Sequence, residues 1–236
     1  MQRKLPSNLD KISKALSSDQ PVLIFDSDNR EGETDIFFSA KNVTNSSINF
    51  LRKNGGGMIF LASEFHISKK LGLPFISDVY EAIAIKSGQF EILKKMGNHS
   101  LPYDKRSSFS IYINHKDTYT GITDNDRALT AYKFSELCAE ASLLSREKSV
   151  ELLANNFRSP GHLPICIADS NLLNGRQGHT ELIVALLLLL ELPPVALGCE
   201  MLSDKGTSLS PNDAKIWAKE NGYPFLEGRE IVEACL

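Results

Sequence analysis

The chain has 236 residues, of which 42% are hydrophobic and 23% charged, with a formal net charge of −3 and an isoelectric point near 6.0. That is enough apolar side chain for a sizeable core, without the basic footprint of a nucleic-acid binder. Four widely spaced cysteines (Cys138, Cys166, Cys199, Cys235) form no Cys-x-x-Cys pair, which argues against structural zinc and a secreted disulfide scaffold.

Met1 to Pro6 lack the apolar region of a signal peptide, so a cytoplasmic protein is expected. Asn8 to Leu16 suggests a first helix. Val22–Phe25 and Ile36–Ser39 read as strands around an acidic loop. Ser46–Lys53 reads as a helix stopped by Gly55-Gly56-Gly57, before a strand over Met58–Ala62 and a short helix over Phe65–Leu71 that runs into Pro74. From Phe75 to Tyr103 the hydrophobic period varies, and a helical insertion is expected. Phe109–Asn114 alternates as a strand. Asp124 or Asn125 is expected to cap a helix through Leu144, and Ser149–Asn155 to form a short helix or turn. Ile165–Ala168 and Val195–Met201 read as strands. Between them, the apolar run Leu182–Leu190 falls far short of the roughly 18 residues that span a bilayer, so it is a core helix and no membrane partner is expected. Asn212–Asn221 and Glu230–Ala234 read as the last helices. Strands and helices alternate without a simple βαβ rhythm. The expected fold is α+β: one domain over residues 1–236, a three-layer α/β/α sandwich with a mixed β-sheet. No Gly-x-Gly-x-x-Gly or Walker motif points to a dinucleotide or P-loop enzyme.

The most informative stretch runs from Asp26 to Asp35. Five carboxylates (Asp26, Asp28, Glu31, Glu33, Asp35) and Arg30 crowd into one turn after a buried strand. Like charges this close repel unless a cation offsets them, and an all-oxygen set suits Mg²⁺ or Mn²⁺ better than a soft metal. Read alone, such a turn is most often simply solvated. A second constellation, Arg176-Gln177-Gly178-His179-Thr180-Glu181, opens the core helix. A helix N-terminus favours phosphate, Arg176 offers a forked donor, and His179 is a possible metal ligand; the plain alternative is that Thr180 only caps the helix. Arg158-Ser-Pro-Gly-His162 sets a histidine after a Pro-Gly turn. Glu200 ends an apolar strand, where desolvation would raise its pKa, unless it simply faces water.

These pieces, in this order, resemble the 3,4-dihydroxy-2-butanone 4-phosphate synthase family of riboflavin biosynthesis. The matching elements are Arg30-Glu31 with Asp35, Thr120-Gly-Ile-Thr-Asp-Asn-Asp-Arg127, Pro160-Gly161-His162, Gly178 to Glu181, and Cys199-Glu200. The loop variant Arg-Glu-Gly-Glu-Thr-Asp looks most like archaeal members. Many members carry a cysteine where Phe60 stands here. The resemblance implies a lyase that converts D-ribulose 5-phosphate to L-3,4-dihydroxy-2-butanone 4-phosphate and formate by metal-assisted enolisation, dehydration and skeletal rearrangement. It implies Mg²⁺ (or Mn²⁺), two ions per site, with Glu31 and His179 as ligands. Glu200, His162 and Asp35 would be catalytic. Arg30, Glu31, Asp35, Arg176, Gln177, Gly178, His179, Thr180 and Glu200 would contact the phosphosugar substrate. A homodimer with active sites at the interface is implied, as is a monofunctional chain without the GTP cyclohydrolase II domain of many bacterial relatives.

Overall fold

A computed structural model describes residues 9–87, 90–96, 104 and 106–236. Strand β1 (Val22–Phe25) returns through the acidic loop into β2 (Thr34–Ser39), an antiparallel pair with Ile24 opposite Asp35. β2 lies antiparallel to β6 (Val195–Glu200), and β6 antiparallel to β3 (Phe60–Ser63). β3 runs parallel to β5 (Phe157–Ile167), which carries the edge strand β4 (Phe109–His115) antiparallel. On the other flank β1 takes β7 (Phe225–Glu227) in parallel. Among the described residues the sheet therefore has seven strands in the order β4-β5-β3-β6-β2-β1-β7.

The period of two along each strand divides the core into two layers. Leu23, Ile36, Phe38, Leu61, Ile165 and Leu197 face one side, where Ile48 and Leu51 of α2 (Asn45–Asn54), Phe134 of α6 (Asp124–Ala141) and Ala214 and Ala218 of α9 (Pro211–Asn221) cover them. Ile24, Phe37, Phe60, Ala62, Cys166 and Ala196 face the other, beneath α1 (Leu9–Leu16), α8 (His179–Leu189) and α10 (Gly228–Cys235). This is the expected α+β sandwich with a mixed sheet. Helix α8 is apolar on every side, so it must be enclosed, and Leu182 to Leu187 are all buried. Among the described residues no helix is long and apolar enough to cross a membrane.

Several boundaries differ from expectation. Thr123, not Asp124 or Asn125, caps α6: its hydroxyl accepts the Asp126 N–H. Asp124 lies inside the first turn and takes Arg52 of α2 at 2.8 Å. The helix ends at Ala141 rather than Leu144. The 146–156 region is a full helix, α7 (Arg146–Asn156), and α3 spans Phe65–Lys70. Arg158 to His162 falls within β5, but adjacent β4 residues Ile113 and Asn114 pair with Leu163 and Arg158, so Ser159–His162, with its cis Ser159–Pro160 bond, interrupts the ladder. Strand β7 has three residues, too few for any periodic signal, and is held by its pairing with β1. Within the 75–103 stretch, α4 (Ile76–Ser87) and α5 (Glu91–Met96) bear out the helical expectation; residues 88–89 and 97–103 lie outside the described residues.

Gly198 sits in register between Phe37 on β2 and Phe60 on β3. Those two rings meet edge to face, with centroids 5.9 Å apart. A Cβ on residue 198 would strike the Phe37 ring and come 3.0 Å from Phe60. Gly198→Ala is therefore expected to cost about 1–3 kcal/mol of stability, the usual effect of overpacking. An unchanged midpoint in urea denaturation would contradict this packing.

Candidate active site

A cavity of about 360 Å³ opens where β2 and β3 begin and β6 ends. The acidic loop (Arg30, Glu31, Glu33, Asp35), the start of α8 (Arg176, His179, Thr180) and Glu200 form its polar wall. Met58, Phe60, Phe109 and Cys166 form an apolar floor. A polar wall facing an apolar floor can orient a small hydroxylated anion while shielding it from bulk water.

The loop is folded by its own first carboxylate. Buried Asp26 accepts the backbone N–H groups of Glu31 and Glu33, each at 3.1 Å, and lies 3.6 Å from Arg30 Nε. Gly32 supplies the positive φ (+66°) that the turn needs. This places Glu31 and Glu33 around His179. The imidazole Nδ1 lies 3.2 Å from Glu31 Oε2, and Nε2 lies 3.1 Å from the Glu33 carbonyl and 3.6 Å from Asp35 Oδ1. Both ring nitrogens thus face acceptors, which favours the imidazolium. Burial works against that charge, but Asp35, when ionised, and the Glu31 hydrogen bond outweigh it and push the His179 pKa upward. For Asp35, only 1% exposed, burial dominates. His179 opposes it, Glu200, Glu31 and Glu33 add to it, and the carboxyl rises to about 8. For Glu31, burial pushes upward, but the His179 hydrogen bond and the charges of His179, Arg30 and Arg176 bring it below its ordinary value.

The donor set suits a hard dication. Asp35 Oδ1 is buried without a hydrogen-bond partner. Asp26, Glu31 and His179 each offer an atom within 4.8 Å of the others. Oxygens with one imidazole match Mg²⁺ or Mn²⁺, and the imidazolium would give up its proton to ligate.

Asp35 and Glu200 are partners across the β2–β6 register, so neighbouring strands present two carboxyls to one cavity. Burial raises the Glu200 pKa, although its carboxylate accepts the Met58 N–H at 2.7 Å. Gly57 permits that approach, because a Cβ there would collide with Oε2. Arg176 folds back over Gly178, where any Cβ would meet its guanidinium. Its Nη1 donates to Glu181 at 2.6 Å and its Nε donates to Asp104. Glu181 is wholly buried and also accepts the Asp169 N–H at 2.8 Å. The N-cap of α8 is Gly178, which makes no side-chain cap, and Thr180 faces the cavity.

Three of the five sequence elements therefore meet: the acidic loop, Gly178 to Glu181, and Cys199-Glu200. The other two lie elsewhere, together. His162 is exposed on β5, four residues or roughly 13 Å of strand from Cys166. Asn114 accepts the His162 backbone N–H at 2.9 Å and sits 3.1 Å from its Nδ1. Gly121 packs directly on Asn114. Gln177 also misses the cavity: it donates to the Leu173 carbonyl at 3.3 Å and lines a separate cleft behind the acidic loop. Glu181, Asp104 and the floor residues other than Phe60 are not among the residues the sequence points to, and Asp26 stands only as one of the clustered carboxylates. Glu181 stood inside a motif. Asp104 and the floor residues carry no local signal, because only the tertiary fold brings them here.

Comparison with solved structures places this fold. A 3,4-dihydroxy-2-butanone 4-phosphate synthase solved in complex with two magnesium ions superposes with a TM-score of 0.73, at 20% identity, covering 98% of this chain and 100% of that one. The cation-free form of such a synthase gives 0.70 over 97% and 96%. Sequence similarity is stronger. The 3,4-dihydroxy-2-butanone 4-phosphate synthase of Methanothermobacter thermautotrophicus is 40% identical over 224 residues, 94% of this chain and 93% of the relative. That of Methanosarcina mazei is 43% identical over 231 residues, 97% and 91%. Residues 10–234 match the family profile, and the chain belongs to the 3,4-dihydroxy-2-butanone 4-phosphate synthase family.

Glu31→Gln removes one charged oxygen donor from the cluster while leaving the loop's backbone bonds to Asp26 in place. We expect Mg²⁺ or Mn²⁺ affinity, read by titration calorimetry, to fall at least about tenfold with the fold intact. Unchanged affinity would remove Glu31 from the metal set.

Proposed function

We propose that this chain converts D-ribulose 5-phosphate to L-3,4-dihydroxy-2-butanone 4-phosphate and formate, in one domain and in the cytosol, as the first step toward the butanone unit of riboflavin. The observation that carries the reading is the pair of carboxyls, Asp35 and Glu200, raised by burial on adjacent strands beside an acidic loop and a histidine. Proton transfer next to a carbonyl needs an acid or base whose pKa lies near the working pH and within hydrogen-bond reach. Glu200 is half-buried, faces the cavity and is braced by one backbone N–H, so it is our general acid/base. Asp35 orients the sugar hydroxyls and holds a proton.

A dication held by Glu31 and His179 would stabilise the negative charge that develops on the sugar oxygens; the relative solved with two magnesium ions supports a second ion. Arg176, Gly178 and Thr180, at the uncapped start of α8, would receive the phosphate and use its binding energy to orient the reacting end. Arg30, bracketed by Asp26, Glu31 and Asp104, would join them. The apolar floor limits water around the carbon skeleton.

His162 joins this chemistry in a homodimer. It and the Thr120–Arg127 element lie together outside the cavity. Tyr119, next to that element, is 94% exposed and Ile122, within it, 50%. A second copy laid on this face would complete each cavity with His162 of the partner subunit, consistent with a family resemblance that implies interfacial sites.

The test is product analysis. Incubated with ribulose 5-phosphate and Mg²⁺, the chain is expected to release one formate per butanone phosphate. An isomerised pentose phosphate without formate would sink the reading. Glu200→Gln should lose about 10²–10⁴-fold in kcat while substrate still binds by calorimetry. A raised KM with near-normal kcat would reduce Glu200 to a hydroxyl contact.

A further inference from the structure

Arg176 is held by two carboxylates that are not equivalent. Glu181 belongs to α8, is wholly buried and is itself fixed by the Asp169 N–H; it is a permanent brace. Asp104 comes from the segment before β4. Its Oδ2 accepts Arg176 Nε and lies 3.5 Å from Arg30 Nη2. One carboxylate oxygen therefore sits between the two guanidiniums that face the cavity. The side chains of all three residues are only 14–15% exposed, so this contact is poorly screened.

We propose that Asp104 is a built-in anion that holds the phosphate position until substrate arrives, and that substrate phosphate binds by displacing it from Arg176 and Arg30. The proposal rests on the reading that Arg176 receives the phosphate. The physical argument is substitution. Arg30 already lies 3.6 Å from Glu31 Oε1 and Arg176 is braced by Glu181, but two like-charged guanidiniums brought to one mouth repel, and a shared anion offsets that repulsion. A carboxylate between them keeps both forks aimed at the anion position. A phosphate dianion brings more charge and more acceptor oxygens than one carboxylate, so it wins the exchange, whereas an unphosphorylated sugar cannot. Asp104 thus acts as an internal competitor for the phosphate group alone, holding both guanidiniums in place and lowering phosphate affinity in wild type.

The test compares inorganic phosphate binding, by calorimetry with Mg²⁺ present, in wild type, Asp104→Asn, Asp104→Glu and Asp28→Asn. Asp104→Asn should bind phosphate about tenfold more tightly, the worth of one charge-assisted hydrogen bond. Asp104→Glu keeps the competing charge and should stay within about twofold of wild type. Asp28→Asn removes an exposed charge on the far side of the loop and should change little, which separates competition from the general field. Unphosphorylated ribulose, which has no group to compete for the two guanidiniums, should be turned over no better by Asp104→Asn than by wild type. Equal or weaker phosphate binding by Asp104→Asn, in a variant that melts like wild type, overturns the proposal; so does an equal gain in Asp28→Asn. Failure of the underlying reading looks different: Arg176→Ala would then leave phosphate affinity unaltered.

Discussion

The site depends on one costly arrangement, a carboxyl with almost no access to water placed against a histidine and among other carboxylates. Asp35 enters that position because it is the second residue of β2, paired with Ile24 on one side and Glu200 on the other. The sheet gives it no freedom to turn out to solvent. Everything around it compensates. Asp26 folds the loop so that Glu31 and Glu33 meet His179, His179 carries a proton between them, and Arg30 and Arg176 close the charge from the outer side. Buried charge at this density is poor for stability and is what cation-assisted proton chemistry requires.

The fold earns this placement through packing. Helix α8 is buried because it is apolar on every side, and its depth fixes His179 and Thr180 at the sheet's open end. The two core layers clamp β2 and β6 so that Asp35 and Glu200 stay in register. Small residues then set the fine geometry: Gly198 admits the Phe37–Phe60 contact beneath the cavity floor, Gly57 lets Glu200 lie against the β3 start, and Gly178 lets Arg176 fold back onto Glu181.

Much of this was legible in the sequence. Val22–Phe25 reads as a strand because it is a short apolar run before a polar loop, and it is one to the residue. The carboxylate density of the loop points to Glu31 and Asp35, the start of an apolar helix to Arg176 and His179, and a lone carboxylate ending an apolar strand to Glu200, and the fold joins them. What was not legible depended on long-range pairing. β7 exists only because β1 offers it an edge. Ser159 to His162, where Pro-Gly points to a turn, form an irregularity inside β5: β4 pairs with Arg158 and Leu163 on either side of them, a placement with no local signal. Gln177 shares its motif with Arg176 and His179, but a side chain at the entry to a helix points according to packing, and this one reaches the Leu173 carbonyl.

The most direct measurement is the thermal stability of wild type and Asp35→Asn, each with and without Mg²⁺. With its pKa lifted from the ordinary 3.8 to about 8, Asp35 holds in the folded state a proton that the unfolded chain sheds. Its penalty to stability therefore grows as pH rises from about 4 to about 8, and is absent below that window. Asn imitates the protonated carboxyl. At pH 7 without metal, Asp35→Asn should melt several degrees above wild type, and Mg²⁺ should stabilise wild type far more than the variant. A variant that melts below wild type in metal-free buffer, or gains as much from Mg²⁺, would contradict the claim that a buried carboxyl awaiting a cation organises this site.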